Sequence, residues 1–151
     1  MSSFRRSLLA VALLLGLTAP AHAQRGPVAA ALLQFEEALT WEAMTPDWRR
    51  LRPGWVQQVS NAASPAQTAA LMVQLETNMG WEAVQGSWRG RRDSWLAEAQ
   101  RARSPADVAV LLKELEEVTL WSAVSGSWRG TRPGWVARLD AIASGRGATG
   151  K

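Results

Sequence analysis

Along the chain, apolar residues return at helical spacing, and the pattern of helices then repeats. Val28, Leu32, Phe35 and Leu39 fall at i, i+4, i+7 and i+11, one face of a helix. Val108, Leu111, Leu112, Leu115 and Val118 draw the same stripe later on. Ser64-Pro65 and Ser104-Pro105 supply start signals, an N-cap followed by proline at the first helical position, where its missing N–H costs nothing. Asp107 adds a carboxylate to the first turn of the last of these helices. A second helical spacing, Trp135, Val136, Leu139 and Ile142, follows each stripe, and Pro53 and Pro133 are expected to open such segments because proline inside a helix removes a backbone bond. The pattern therefore predicts a long helix, a connector of about a dozen residues holding the Trp48-type positions, and a shorter helix. Val, Ile, Phe and Thr are too few and too unalternating for strands.

The longer period is 40 residues. Trp41, Trp48 and Trp55 recur as Trp81, Trp88 and Trp95 and again as Trp121, Trp128 and Trp135. Glu36, Glu76 and Glu116 keep the same offset, as do Ala43, Ala83 and Ala123, Arg49, Arg89 and Arg129, and Arg52, Arg92 and Arg132. Fold class follows: an all-α, short helical-repeat, solenoid-like array of three 40-residue tryptophan-rich units, 24–63, 64–103 and 104–143, with 144–151 a disordered tail. One helix pair cannot bury its own apolar face, so 24–143 should fold as one cooperative piece. The middle unit is packed on both sides, so Arg92 and Glu76 should be the most buried of the three pairs.

Residues 1–23 read as a signal peptide: basic Arg5 and Arg6, an apolar run from Leu8 to Leu17, Pro20, and Ala21-His22-Ala23 before the expected cleavage. That run is about half of the roughly 20 apolar residues a membrane span needs. The expected location is the periplasm or outside the cell, with no membrane insertion once the signal is removed. Arg5 and Arg6 leave with it, so the net charge of +4 falls to +2, too weak a field to gather nucleic acid.

Chemistry is narrowed further by what the exported chain lacks. His22 is the only histidine and lies in the signal, and there is no Cys or Tyr. Cysteine nucleophiles, histidine-assisted serine chemistry, His or Cys metal sites and disulfides are excluded, leaving no catalytic, cofactor-binding or metal residue to nominate. Glu42 and Glu82 follow tryptophans but Ser122 stands in the third unit, and a carboxylate pair held in a cleft, as glycoside hydrolysis requires, is not suggested. The expectation is a non-enzyme.

The repeated residues form a structural set. The nine tryptophans carry roughly 150 to 250 Å² each, more than a soluble protein can expose, and are expected mainly in the core and in the seams between units. A stacking platform for sugar rings, or one partner-binding tryptophan per unit, are the competing uses. Arg52, Arg92 and Arg132 sit between two tryptophans and are expected to lie on an indole while pairing with Glu36, Glu76 or Glu116. Arg49, Arg89 and Arg129 should point to water.

Ala31-Leu32-Leu33-Gln34-Phe35-Glu36, followed by Trp48-Arg49-Arg50-Leu51-Arg52-Pro53-Gly54-Trp55-Val56, resembles the WHIM-type helical motif of ISWI-associated chromatin-remodelling subunits, an LLxLE helix with a W-x-x-x-R-x-x-W stretch. The resemblance implies a helical scaffold with Glu36, Trp48, Arg52 and Trp55 among its packing residues. In that family the scaffold is associated with linker DNA or nucleosomes. An exported chain departs from that setting, and only the scaffold is carried over. The function expected is an exported scaffold that binds an envelope protein or peptide. The alternative is a cell-wall glycan binder using exposed tryptophans.

Overall fold

The computed structural model describes residues 26–145, and the proposed signal, its cleavage site and most of the tail lie outside them. Six α-helices make up the described chain: α1 (Pro27–Ala38), α2 (Trp48–Ser60), α3 (Pro65–Thr77), α4 (Trp88–Arg101), α5 (Pro105–Val118) and α6 (Trp128–Ala143). Each unit is one helical hairpin, α1 with α2, α3 with α4 and α5 with α6. A single 3-10 turn, Trp41–Ala43, Trp81–Ala83 or Trp121–Ala123, lies in its connector. None of the helices is long and apolar enough to cross a membrane.

The start signals act locally as their chemistry dictates. Ser64 accepts the Gln67 N–H, and Ser104 with Asp107 closes a capping box, each side chain accepting a backbone N–H from the other's position. Two expectations about the second helices need correction. Pro53 and Pro133 lie inside α2 and α6, which begin five residues earlier at Trp48 and Trp128. The Trp48 N–H bonds the Thr45 carbonyl, so the helix grows out of a turn and is already under way when proline arrives. Pro53 is exposed, on the side where water can take over the carbonyl whose partner the ring removes. The second helices are accordingly not the shorter ones: α6 has 16 residues and α1 has 12. The connectors shrink to match, with Trp48, Trp88 and Trp128 at helix starts.

Packing turns three hairpins into a ring. The first helices α1, α3 and α5 touch one another in pairs, and each second helix lies against its own first helix and the next one along. The last of these steps runs from α6 back to α1. Leu32, Met72 and Leu112, and Phe35, Leu75 and Leu115, are fully buried members of the apolar stripe. At one end the connectors are laced by isolated antiparallel bridges, Met44 with Met79, Val84 with Thr119, and Val124 with Leu39. Each carries two backbone bonds: Gly80 N–H to Ala43 O and Thr45 N–H to Asn78 O at 2.8 and 2.7 Å; Leu120 to Ala83 and Gln85 to Val118 at 2.9 and 2.8 Å; Thr40 to Ala123 and Ser125 to Ala38 at 2.9 and 2.8 Å. The third pair joins the last unit to the first, so this belt is closed.

Indoles staple the seams by the same rule. The Trp55 Nε1–H donates to the Leu71 carbonyl, Trp95 to Leu111, and Trp135, across the closure, to Ala31, at 2.9 to 3.0 Å. Phe35 adds ring contacts with Trp128 and Trp135 at 6.2 and 5.8 Å. A repeat array with free ends would leave two units half-covered. Closure instead gives every unit two neighbours, and the middle one has no privileged burial.

Candidate functional site

The nine tryptophans divide by position within the unit. Trp48, Trp55, Trp88, Trp95, Trp128 and Trp135 are at most 2% exposed, whereas Trp41, Trp81 and Trp121 are 46%, 48% and 50% exposed. The buried six form three edge-to-face pairs, one per unit, with ring centres 5.3 Å apart in each. The exposed three open the 3-10 turns and so stand at the belt end of the ring, one in each unit.

Each unit also holds one buried carboxylate. Glu36, at the end of α1, accepts the Trp48 Nε1–H at 3.0 Å and both arms of Arg52, Nε at 2.8 Å and Nη2 at 2.8 Å. Glu76 repeats this with Trp88 and Arg92 at 3.0, 2.8 and 2.9 Å. In the third unit Trp128 donates to Glu116 Oε2 at 2.9 Å, and Arg132 reaches the same oxygen through Nε alone at 2.7 Å. The other Glu116 oxygen is left without a hydrogen-bond partner. The carboxylates are buried while the arginine side chains stay 27 to 32% exposed, so each pair is sealed on one side and wet on the other. The hydrogen bonds to the carboxylates raise the affinity of Arg52, Arg92 and Arg132 for their protons, against the opposing effect of burial.

Pairing of Arg52, Arg92 and Arg132 with Glu36, Glu76 and Glu116 is thus present in all three units, at near-equal burial of the three carboxylates. The expected placement of these guanidiniums on an indole is corrected: the indole supplies an N–H to the shared carboxylate instead. Stacking belongs to the other arginine set. Arg49, Arg89 and Arg129, expected to point to water, lie over Trp41, Trp81 and Trp121 with 4.6 Å from guanidinium carbon to ring centre in every unit. The sequence held a signal for this, since both sets keep the 40-residue offset. The eight-residue step from Trp41 to Arg49 crosses a connector, however, and helical spacing does not reveal it.

The exposed indoles of the first and third units each border a groove. In the first unit it is about 270 Å³, between Trp41, Thr40 and Met44 on one side and Glu37 and Arg52 on the other; in the third it is about 240 Å³ between the corresponding Trp121, Leu120, Val124, Glu117 and Arg132. Glu42 and Glu82 are exposed beside their tryptophans. The arrangement can grip a flat or aliphatic group on an indole and hydrogen-bond it from arginine.

A family profile described as a domain of unknown function (DUF8799) matches residues 28–79 and again 68–119, together more than half of the chain. The chain belongs to this family. The two DUF8799 matches are themselves 40 residues apart, and each runs from one first helix through its hairpin to the end of the next first helix. The family's unit therefore includes the seam as well as the hairpin. Only this family is found, and no chromatin-remodelling one, so the tandem helical repeat stands without the finer WHIM-type likeness. No curated protein and no solved structure matches the chain.

Proposed function

We propose that this protein is an exported, non-enzymatic helical-repeat scaffold that binds a protein or peptide of the cell envelope through the belt end of the ring. The observation that carries this is the Trp–Arg stack, present three times in the same geometry and half-exposed each time. Tryptophan and arginine are the side chains most enriched among interface residues that dominate binding energy. Pre-stacked pairs also lose less freedom on docking than loose side chains. Three copies on one rigid ring allow a partner to engage more than one, raising avidity without new contacts. Export, the absence of a cofactor and the absence of a nucleic-acid role belong to the same reading, supported by the signal-like start and the net charge of +2 after its removal.

A glycan of the cell wall is the second reading, favoured by one observation: Trp41 and Trp121 each border a groove where arginine stands beside a flat ring, the donor-and-platform arrangement that suits a pyranose. The test is capture from native envelope extract by residues 24–151, run beside sedimentation with purified peptidoglycan. Wild type should retain a protein that the Trp41→Ala/Trp81→Ala/Trp121→Ala variant loses. Loss of peptidoglycan sedimentation in that variant would assign the indoles to glycan instead. Capture that the variant leaves intact would contradict both readings.

A further inference from the structure

The seam between α2 and α3 and the seam between α4 and α5 are equivalent places in successive units, and they carry different chemistry. The second holds a cavity of about 340 Å³ lined by charge, including Arg91, Glu98, Arg101 and Asp107. Most of that charge is already engaged within the chain. Arg91 is bound by Glu114, at 2.5 and 2.8 Å, and by Glu98 at 2.6 Å, while Asp107 accepts the backbone N–H groups of Arg103 and Ser104.

The first seam is wider, about 580 Å³, and uncharged. Gln58 stands where Glu98 does, Asn61 where Arg101 does and Gln67 where Asp107 does, and Gln57 joins them from the same face of α2. Ala70 and Leu71 make an aliphatic floor. Of the four amides, Gln67 lends its oxygen to the Ala63 N–H at 2.7 Å. Gln57, Gln58 and Asn61 are exposed, and among the described residues their side chains have no hydrogen-bond partner. The groove lies in the half of the helices away from the belt and shares no residue with the exposed indoles.

Three unengaged primary amides, each with donors and an acceptor and none with a charge, define what fits. An ionic group entering here would lose water and find no counter-charge. A helical ligand arrives with its backbone bonds already made and asks for deep apolar anchors. An extended chain arrives with a free N–H and C=O on each residue. A pyranose would bring hydroxyls, but its apolar face stacks on an aromatic ring, and none lines this groove. From Gly54 to Asn61 the helix rises roughly 10 Å, room for about three extended residues.

We propose that the α2–α3 groove binds an extended, uncharged peptide segment, its backbone held by the side-chain amides of Gln57, Gln58 and Asn61 over the Ala70–Leu71 floor. The proposal shares the peptide class with the proposed function but uses different residues, so the two can fail separately. Gly54 provides a probe that does not threaten the fold. A Cβ built there meets nothing within 4 Å, so Gly54→Gln should keep the helix and fill the groove.

The experiment is selection from a displayed library of random dodecapeptides on residues 24–151, followed by titration of the synthetic peptides with the side-chain amide resonances observed. We expect peptides with an uncharged run of at least three residues that shift the Gln57, Gln58 and Asn61 resonances. They should bind about tenfold or more weakly to Gly54→Gln and to Gln57→Ala/Gln58→Ala, and unchanged to Glu98→Ala and to Trp41→Ala/Trp81→Ala/Trp121→Ala. Peptides whose binding follows the indoles and ignores the amides would overturn the groove while leaving the belt-end reading standing. Selection of no peptide, or chito-oligosaccharides shifting the same three amides, would overturn it as well.

Discussion

At the residue scale, one buried carboxylate organises each unit. Glu36, Glu76 and Glu116 each hold an indole N–H and a guanidinium, so an arginine fixes the start of a second helix on the end of a first. Removing Arg92 leaves Glu76 buried with only the indole as partner. Arg92→Ala should cost about 1 to 3 kcal/mol in denaturant unfolding. Because the ring gives all units two neighbours, Arg52→Ala should cost about the same, whereas Arg132→Ala should cost less, its pair being held through one nitrogen alone. A middle-unit cost far above the first would contradict closure. The pairing itself was legible in the sequence from the shared 40-residue offset. Which arginine stacks on an indole was not, because it depends on a connector fold that brings residues eight apart into contact.

The capping box of α5 gives the residue scale a pH dependence. The Arg103 N–H, then the Ser104 hydroxyl, hold the Asp107 carboxyl below its ordinary value. A carboxyl whose pKa is lowered by folding contributes stability that is fully present above the unfolded value near 4, and loses it as pH falls through the folded value. Asp107→Asn should therefore be less stable than wild type near neutrality, with the gap closing as unfolding is followed down to about pH 2. A gap that stays constant with pH would assign the loss to packing.

Elements divide the labour between first and second helices. The first carry the stripe that meets at the centre; the second present one indole inward to their own unit's carboxylate and one across a seam to the next first helix. Apolar period and Ser-Pro caps made the first helices legible from α1 to α5. The second helices were misread at their starts because Pro53 and Pro133 look like boundaries, and tertiary anchoring of Trp48 and Trp128 overrides that local preference. The division predicts unequal tryptophans. Trp135→Ala, fully buried and bonded to Ala31, should destabilise by about 3 to 5 kcal/mol. Trp121→Ala, half-exposed, should cost much less in the same thermal or denaturant unfolding series. Equal losses would mean that the belt-end indoles are core and not surface.

At the scale of the whole molecule, three units are enough because the last covers the first. The sequence showed the number of units and their all-helical character, yet no linear period reveals whether an array ends or closes, since closure depends on the small angle accumulated at each seam. Closure also places the three Trp–Arg stacks around one end at equivalent positions, which a short open stack would not do. Hydrogen exchange of the six belt amides, followed by NMR, tests this most directly. The amides of Thr40 and Ser125, which bond across the junction of the last unit with the first, should exchange as slowly as those of Thr45, Gly80, Gln85 and Leu120, all six opening only with the fold as a whole. Fast exchange at Thr40 and Ser125 beside protection at the other four would show an open array and contradict the ring.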